Sequence, residues 1–341
     1  MKILVGLSGG VDSAAAVLLL QKAGHEVAAA TLVMHEGTDL APAREVAEAL
    51  GVPLYEIDCR EEFKNTVVEN FANEYVNART PNPCIICNSN IKFKRLYDKA
   101  ISLGFDKIAT GHYARVVKAD LGGYAIACGK DLRKDQTYML YRLPQHILEA
   151  LVFPLSDMTK DEVRALMREA GMEVASRKDS QEICFVPDGD YASFVEGMRG
   201  KSPEGDFLDA EGKVIGRHRG IIRYTIGQRK GLGVAAGARI FVTEIDPVAN
   251  TVRLSYEDKL TYELTVSDIV YSGMAEGAHG EKNFLVKLRY AAKPVPCRVT
   301  FEDSSAHVWL SEGVRAVTPG QSAVFYENGA VMAGGFIDKP L

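Results

Sequence analysis

The sequence predicts an α/β protein with a doubly wound parallel-sheet domain, a small mixed or β central domain and a C-terminal β-barrel. In the first half, apolar strand-like runs alternate with helical runs, as in a parallel sheet covered by helices on both faces. A glycine-containing loop joins the first strand to the first helix. Beyond about residue 185, short β-like runs with Gly, Pro and Asp turns replace this alternation. We therefore expect domains at 1–185, 186–261 and 262–341.

The elements of the first half follow from apolar runs and from glycines that end helices. A strand at 3–7 leads into a helix at 13–23, which ends at Gly24 because glycine readily takes the left-handed conformation there. The same signals then predict, in order, strand 27–34, helix 43–50, strand 54–58, helices 61–78 and 88–103, and strand 107–110. Ligands of such sheets bind at the carboxyl ends of the strands, so the loops after the first and last of these strands are candidate sites.

The second half is predicted to form a compact β segment followed by the short strands of a small antiparallel barrel. Turn residues separate the runs at roughly regular spacing, which is typical of barrels. The predicted strands are 221–226, 239–245, 251–255, 266–270, 283–288, 297–301, 306–310, 322–326 and 331–337.

Bulk composition excludes several classes of protein. A chain of 341 residues exceeds one ordinary core, and it has no apolar run near the ~18–20 residues of a membrane span. No signal peptide precedes the first strand, so we expect a cytoplasmic protein with no membrane association. Its six cysteines then point to metal binding or catalysis rather than disulfides. The net charge of −5 argues against promiscuous nucleic-acid binding but allows a local basic surface.

The segment Ser8-Gly9-Gly10-Val11-Asp12-Ser13 is suited to binding an anion. Glycines let a phosphate approach the backbone, and the N-terminus of the following helix adds positive charge. Asp12 and Ser13 would cap the helix or hold a magnesium-bound pyrophosphate. No lysine follows the glycines, so this is not a Walker A loop. The segment resembles the pyrophosphate (PP) loop of ATP-pyrophosphatases, which cleave ATP to AMP and pyrophosphate; the alternative is an ordinary capped glycine turn.

Three cysteines form a second candidate site. Two prolines precede the pair Cys84 and Cys87, and Cys184 follows 97 residues later. We expect Cys87 at or near a helix N-terminus, where the pKa of a thiol is lowered. A lone Cys-x-x-Cys could be a redox pair, half of a zinc site or part of an iron–sulfur site.

Motifs along the whole chain resemble those of the tRNA-specific 2-thiouridylase family. They are the Ser8–Ser13 loop, Asn82-Pro83-x-x-x-Cys87-Asn88, Gly111-His112-Tyr113, Lys134-Asp135-Gln136, Asp179-Ser180-Gln181-Glu182-x-Cys184 and Tyr224-x-Ile226-Gly227-Gln228-Arg229-Lys230-Gly231. The resemblance implies ATP- and Mg²⁺-dependent replacement of the 2-oxygen of the wobble uridine by sulfur, in tRNAs for Lys, Glu and Gln, through an adenylated uridine. It also implies that Cys184 carries a persulfide and that Cys87 is the catalytic thiol. The partners would be the tRNA anticodon stem-loop and a sulfur donor: a cysteine desulfurase, a sulfur-relay protein or free sulfide.

One position departs from the family pattern. Cys84 stands where the usual motif has Asp, in Asn82-Pro83-Cys84. Other tRNA thiolases of the superfamily hold a 4Fe-4S cluster with three cysteines, so the resemblance implies that Cys84, Cys87 and Cys184 hold such a cluster here, with one iron open to sulfide. Cluster-free persulfide chemistry, a zinc site and an inert Cys84 remain as alternatives.

The resemblance also assigns roles to individual residues. Asp12 joins Cys87 and Cys184 as catalytic. The ATP-binding residues would be Gly6, Leu7, Ser8, Gly9, Gly10, Val11, Asp12, Ser13, Leu32 and Gly111. The tRNA-binding residues would be Asn82, Pro83, Cys84, His112, Lys134, Asp135, Gln136, Arg289, Tyr290 and Gln321. Without the resemblance, Leu32 would be interpreted as a core residue and Lys134-Asp135-Gln136 as a solvated loop. Arg289, Tyr290 and Gln321 would be interpreted as ordinary barrel surface.

The remaining features admit simpler interpretations. A locally basic middle segment could contact the phosphate backbone or be plain surface charge; it comprises Arg217, His218, Arg219, Arg223, Arg229 and Lys230. Cys59, Cys128 and Cys297 have no motif around them and are expected to be small buried hydrophobes. The rival functions are another PP-loop adenylating ligase, similar to lysidine synthase or argininosuccinate synthase, and a non-enzymatic RNA-binding protein.

Overall fold

The computed structural model describes residues 1–119, 122–172, 174, 183–234, 238–257, 259–275, 277 and 280–341. The motif Asp179-Ser180-Gln181-Glu182 lies outside the described residues, whereas Cys184 lies within them. No helix in the part of the chain so described is long and apolar enough to cross a bilayer.

The first domain is a five-stranded parallel sheet with helices on both faces, as predicted. Its elements are β1 (Lys2–Gly6), α1 (Val11–Lys22), β2 (Glu26–Val33), α2 (Ala41–Ala49), β3 (Leu54–Asp58), α3 (Arg60–Phe63), α4 (Glu69–Val76), α5 (Pro83–Cys87), α6 (Phe93–Ser102), β4 (Lys107–Thr110), β5 (Arg115–Lys118), β6 (Tyr124–Ala127), α7 (Gln145–Ala150), β7 (Leu151–Val152) and α8 (Lys160–Glu169). The strand order is β3-β2-β1-β4-β7.

The alternation of side chains along β1 explains the two layers of helices. Ile3 and Val5 point into a core with α1, α2 and α8, whereas Leu4 points into a core with α6 and α7. All three are fully buried. A strand apolar on both faces is what a parallel sheet between two helical layers requires.

The central domain is a small mixed sheet, again as predicted. Its elements are α9 (Tyr191–Arg199), β8 (Gly205–Leu208), β9 (Val214–His218), β10 (Phe241–Asp246) and β11 (Thr251–Ser255), in the order β10-β11-β8-β9. The predicted strand at 221–226 is wrong: Ile221–Arg223 form a 3₁₀ turn. Gly220, at φ +108°, bends the chain there, and Ile221, Ile222 and Tyr224 fill the core instead of alternating across a sheet.

The last domain is a six-stranded antiparallel barrel. It is built from β12 (Leu260–Tyr271), β13 (Gly280–Lys287), β14 (Val295–Glu302), β15 (Ser305–Arg315), β16 (Ser322–Glu327) and β17 (Ala330–Pro340). Pairing of β12 with β17 closes it. The hairpin β5–β6 of the first domain, which the sequence did not predict, joins the barrel sheet where Ala127 pairs with Ala330.

Candidate active site

The glycine loop follows β1 and leads into α1, as predicted. Gly9 has φ +77°, and a Cβ there would lie 2.4 Å from the carbonyl carbon of Pro42 in α2, so only glycine fits. The hydroxyl of Ser13 donates to the carbonyl of Gly10 (3.0 Å) and accepts from the backbone N–H of Ser8 (3.3 Å). The loop is thus folded back on the first turn of α1, the arrangement that binds phosphate groups at helix N-termini.

Asp12, in that first turn, is held by two side chains from distant parts of the chain. Its Oδ1 accepts from the hydroxyl of Tyr113 (2.7 Å), and its Oδ2 lies 2.7 Å from Nζ of Lys160. Lys160 is only 6% exposed and is the first residue of α8. The carboxylate is therefore fixed in position and neutralised at the carboxyl edge of the sheet.

Gly111 allows the end of β4 to approach α1. A Cβ at Gly111 would lie 2.5 Å from the carbonyl carbon of Asp12 and 2.6 Å from the backbone nitrogen of Ser13. Leu32, near the end of β2, is half-buried against the core that contains Cys59 and Cys87, as an ordinary packing residue would be.

His112 is neutral at physiological pH. Its Nδ1 lies 2.8 Å from Oγ1 of Thr110, and its ring packs against Phe93 (5.5 Å between centroids) and Phe153 (6.2 Å). Burial, helped by the nearby Lys92 ammonium, lowers the pKa of His112 to about 3. In this conformation His112 therefore offers a hydrogen bond rather than a positive charge.

The cysteine segment begins a helix. Asn82 caps it, its side chain accepting from the backbone N–H of Cys84 (3.2 Å), and Pro83 is its first residue. A π-helical turn at Asn88–Lys92 then continues into α6. Cys84 is exposed and lies in the first turn, whereas Cys87 lies one turn further in.

The expectation of a lowered pKa for Cys87 is wrong. The residue is 7% exposed, and its Sγ lies 3.8 Å from Sδ of Met34. Burial raises the pKa of the Cys87 thiol to about 11, although the Lys92 ammonium acts in the opposite direction. The expectation assumed an exposed thiol at the helix N-terminus, but that position belongs to Cys84.

The three predicted cysteines influence one another electrostatically. Negative charge on Cys184 or Cys84 raises the pKa of Cys87, and burial together with Cys84 raises the pKa of Cys184. The thiols therefore lie near one another; Cys184, like Cys84, keeps solvent-accessible surface, although neighbouring atoms desolvate its sulfur. Among the described residues, however, no three His, Cys, Asp or Glu side chains form a metal-binding group. The three thiols are of the residue type that holds an iron–sulfur cluster, but they do not form a metal-binding group in this conformation.

Lys134-Asp135-Gln136 is a junction rather than a solvated loop. Asp135 accepts from Nζ of Lys287 in the barrel (3.3 Å) and from the backbone N–H of Thr137 (3.1 Å). Gln136 accepts from the backbone N–H of Tyr113 (2.9 Å), and Lys134 is half-buried beside them. The segment thus ties the loop after β4 to the barrel.

Two of the three predicted barrel residues also join domains. Arg289 donates to the hydroxyl of Thr318 and to the carbonyl of Ile226 in the central domain (3.2 Å). Gln321 donates to the carbonyl of Thr80 (2.7 Å), two residues before the cap of the cysteine helix. Tyr290 is 38% exposed, and the Lys287 ammonium lies over its ring, 5.9 Å from the ring centroid.

Only part of the basic middle segment faces solvent. His218 is 1% exposed and bonded to the backbone of Asn250 and Gly220, and Arg223 pairs with Glu196. Arg217 is exposed but pairs with Asp206. The exposed cations that pair with no carboxylate among the described residues are Arg219, Arg229 and Lys230.

Comparison with known proteins agrees with this architecture. Three family models match in order: a tRNA methyl transferase HUP domain over residues 1–188, a tRNA methyl transferase PRC-barrel domain over 192–256 and an aminomethyltransferase beta-barrel domain over 261–337. The tRNA-specific 2-thiouridylases MnmA of Clostridium perfringens strain 13 and Clostridioides difficile strain 630 are each 40% identical over 357 residues, covering 100% of this chain and 99% of theirs. That of Geotalea uraniireducens is 41% identical over 99% of this chain and 95% of its own.

The chain belongs to the tRNA-specific 2-thiouridylase family. The first two domain models are named after tRNA methyl transferases, whereas the full-length relatives are named thiouridylases. The full-length relatives determine the family, because their similarity spans the entire chain.

Two residues that contact Asp12 were missed as site residues from the sequence. Tyr113 stood inside a recognised motif, yet its contact with Asp12 depends on how the loop after β4 folds. The spacing Thr159-x-x-Glu162 is a capping box, and both of its hydrogen bonds form. That signal predicts a helix start and so places Lys160 in a first turn. It does not reveal that the Lys160 side chain turns inward, because that depends on packing α8 against α1.

Proposed function

We propose that this tRNA sulfurtransferase performs ATP-dependent 2-thiolation of the wobble uridine in tRNAs for Lys, Glu and Gln. The proposal rests on the positions of the glycine loop and of Cys87. The glycine loop follows β1, and Cys87 contacts Met34 at the end of the neighbouring strand β2. Adjacent strands lie about 4.8 Å apart. A nucleotide at the loop and a base near Cys87 would thus meet at one edge of the sheet.

Adenylation explains why a glycine loop and thiols belong together. The uridine 2-oxygen is a poor leaving group. In our proposal it attacks the α-phosphorus of ATP, pyrophosphate leaves into the Ser8–Ser13 loop, and the oxygen becomes part of AMP. Asp12 would hold Mg²⁺ on the phosphates, while Leu32 and Gly111 would border the nucleotide. Sulfur then attacks C2, and AMP departs with the former uridine oxygen.

Sulfur delivery has two candidate routes. In the persulfide route, the terminal sulfur on Cys184 attacks C2 and displaces AMP; the thiolate of Cys87 then attacks Sγ of Cys184, breaking the S–S bond. This leaves thiouridine and a Cys87–Cys184 disulfide, which a cellular thiol must reduce. In the other route, Cys84, Cys87 and Cys184 would hold a 4Fe-4S cluster that would supply sulfide, which requires the three thiols to leave the arrangement seen here.

The tRNA would lie across the junction of the three domains. Tyr290, which is 38% exposed, would stack on an unstacked base, and the exposed cations Arg219, Arg229 and Lys230 would offer charge to phosphates. Asn82, Pro83, Cys84 and Lys134 would border the anticodon stem-loop. For Arg289, Asp135, Gln136 and Gln321, the observed contacts support an indirect role in holding this surface together. A protein acting on tRNA with reduced thiols would work in the cytoplasm.

The test is a product analysis on anaerobically purified protein. We expect AMP and 2-thiouridine in equal amounts from Mg²⁺·ATP, a sulfur source and tRNA, with both lost in Asp12→Asn. AMP formation without any thionucleoside would favour an adenylating ligase of another kind. Absence of AMP would leave only an RNA-binding protein.

Iron and acid-labile sulfide measured on the same preparation decide the sulfur route. About four of each per chain, lost together in Cys84→Ala, would support the cluster. Neither, after attempted reconstitution, would support the Cys184 persulfide. Cys297→Ala, which removes a buried barrel cysteine, is the matched control.

A further inference from the structure

The glycine loop lacks a lysine of its own, but the fold brings one to it. Nζ of Lys160 lies 2.7 Å from Oδ2 of Asp12, from a position 148 residues further along the chain. Asp12 is the second residue of α1, so the ammonium lies beside the helix turn toward which an anion at the loop would be drawn.

Several contacts fix Lys160 in this position. Its backbone N–H donates to Oδ2 of Asp131 (3.0 Å), which is itself 4% exposed. The capping box of Thr159 and Glu162 fixes the start of α8 at this residue. Burying an ammonium costs desolvation free energy even when it is paired with a carboxylate, so the fold maintains this cation at a cost that an exposed lysine would not carry.

We propose that Lys160 is a catalytic residue that supplies the charge a Walker lysine supplies from within its own loop. The inference rests on the proposed function, because it requires ATP at the Ser8–Ser13 loop. As the uridine oxygen bonds to the α-phosphorus, the bond from that phosphorus to the bridging oxygen breaks, and pyrophosphate takes the electron pair. The Lys160 ammonium keeps its proton and stabilises the charge that builds on the leaving group.

The alternative is that Lys160 only positions Asp12. The two roles differ in what they require. A cation that touches pyrophosphate strengthens its binding with or without Mg²⁺, whereas a residue acting through Asp12 matters only when Asp12 holds the metal. Neither role affects AMP, which lacks the β- and γ-phosphates.

Lys160→Gln separates these roles, because glutamine retains a hydrogen-bond donor for Asp12 but removes the charge. Lys130→Met is the matched control: Lys130 pairs with Glu162 of the same helix at 2.6 Å but is exposed. The measurements are the affinities for inorganic pyrophosphate, with Mg²⁺ and with EDTA, and for AMP, together with tRNA-dependent AMP formation.

We expect Lys160→Gln to weaken pyrophosphate binding about 10–100-fold in both conditions, as loss of a charge-assisted contact implies. AMP affinity should stay unchanged, and Lys130→Met should behave as wild type. A loss confined to Mg²⁺-containing samples, or no loss, overturns the inference. If wild-type protein neither binds pyrophosphate nor forms AMP, the proposed function fails as well.

A second comparison applies if Lys160→Gln does not fold. Asp12→Asn combined with Lys160→Met removes the pair without leaving a lone charge. Weaker pyrophosphate binding by this double variant than by Asp12→Asn alone supports the contact, and equal binding overturns it.

Discussion

At the scale of single residues, the reactivity of Cys87 depends more on the atoms that surround its thiol than on its position in a sequence motif. The thiol is buried against the sulfur of Met34, so its charged form is poorly solvated and its pKa is raised to about 11. Nearby Cys84 is exposed. Cys87 in this conformation is therefore held protonated, so the persulfide route that we propose requires its surroundings to rearrange.

Alkylation rates test this account of Cys87. With a pKa near 11, only on the order of 0.1% of the thiol is ionised at pH 8. Iodoacetamide should modify Cys87 far more slowly than Cys84, and the Cys87 rate should rise about tenfold per pH unit from 8 to 10, since raising the pH populates the thiolate. Peptide mass spectrometry of wild type and Cys84→Ser gives both rates. Fast modification of Cys87 at pH 7 in the free protein would contradict the account.

Sequence alone gave the residue types at the site but not these environments. Two glycines between an apolar strand and a helical run are typical of an anion-binding loop, so the loop was predictable. The burial of Cys87, the neutrality of His112 and the inward turn of Lys160 arise from side chains distant in sequence. Local patterns carry no information about such contacts.

At the scale of elements, Gly9 sets how the loop packs on α2. Gly9 and Gly24 have nearly the same backbone angle, φ +77° and +78°, but a Cβ at Gly9 would meet Pro42 at 2.4 Å whereas one at Gly24 meets nothing within 4 Å. The pair therefore separates backbone strain from a packing clash.

Gly24→Ala should lower the free energy of unfolding by about 1 kcal/mol, from strain alone, and leave ATP use unchanged. Gly9→Ala should cause the same backbone strain and also a clash with Pro42. The clash should displace the loop and weaken ATP binding at least about tenfold. Urea unfolding and nucleotide titration measure both effects. Equal nucleotide affinity in the two variants would show that the loop position does not matter.

The elements that sequence patterns predicted poorly are those whose bounds depend on tertiary contacts. The helix expected at 88–103 begins at Pro83, because Asn82 caps it, and it includes a π-helical turn. The strand expected at 221–226 is a turn whose apolar residues all enter the core. An apolar run shows that residues are buried, but it does not specify which element buries them.

At the scale of the whole molecule, buried polar contacts join the barrel to the first domain. Lys287 and Asp135 form a pair whose side chains are 11% and 10% exposed. Tyr138 accepts from the backbone N–H of Ser322 (3.1 Å), and Gln321 holds the carbonyl of Thr80. The motif residues expected at a tRNA surface therefore also hold the domains together, which no local pattern could reveal.

Breaking the Lys287–Asp135 pair on one side should be costly. Asp135→Asn or Lys287→Met alone leaves a buried charge and should lower the free energy of unfolding by about 3–5 kcal/mol, whereas the double variant should recover most of the loss. Asp206→Asn, in an exposed pair with Arg217, is the control and should cost at most about 1 kcal/mol. Additive losses in a double-mutant cycle would contradict the pairing.

In the mechanism that we propose, one site adenylates the uridine oxygen and then exchanges it for sulfur. Substrate tRNA carrying ¹⁸O at the 2-position of the wobble uridine tests it most directly, with AMP analysed by mass spectrometry. We predict one ¹⁸O in each AMP for each 2-thiouridine formed, because the uridine oxygen leaves on the phosphate. AMP without the label, alongside thiouridine, would mean that ATP is cleaved without activating the base and would contradict the account.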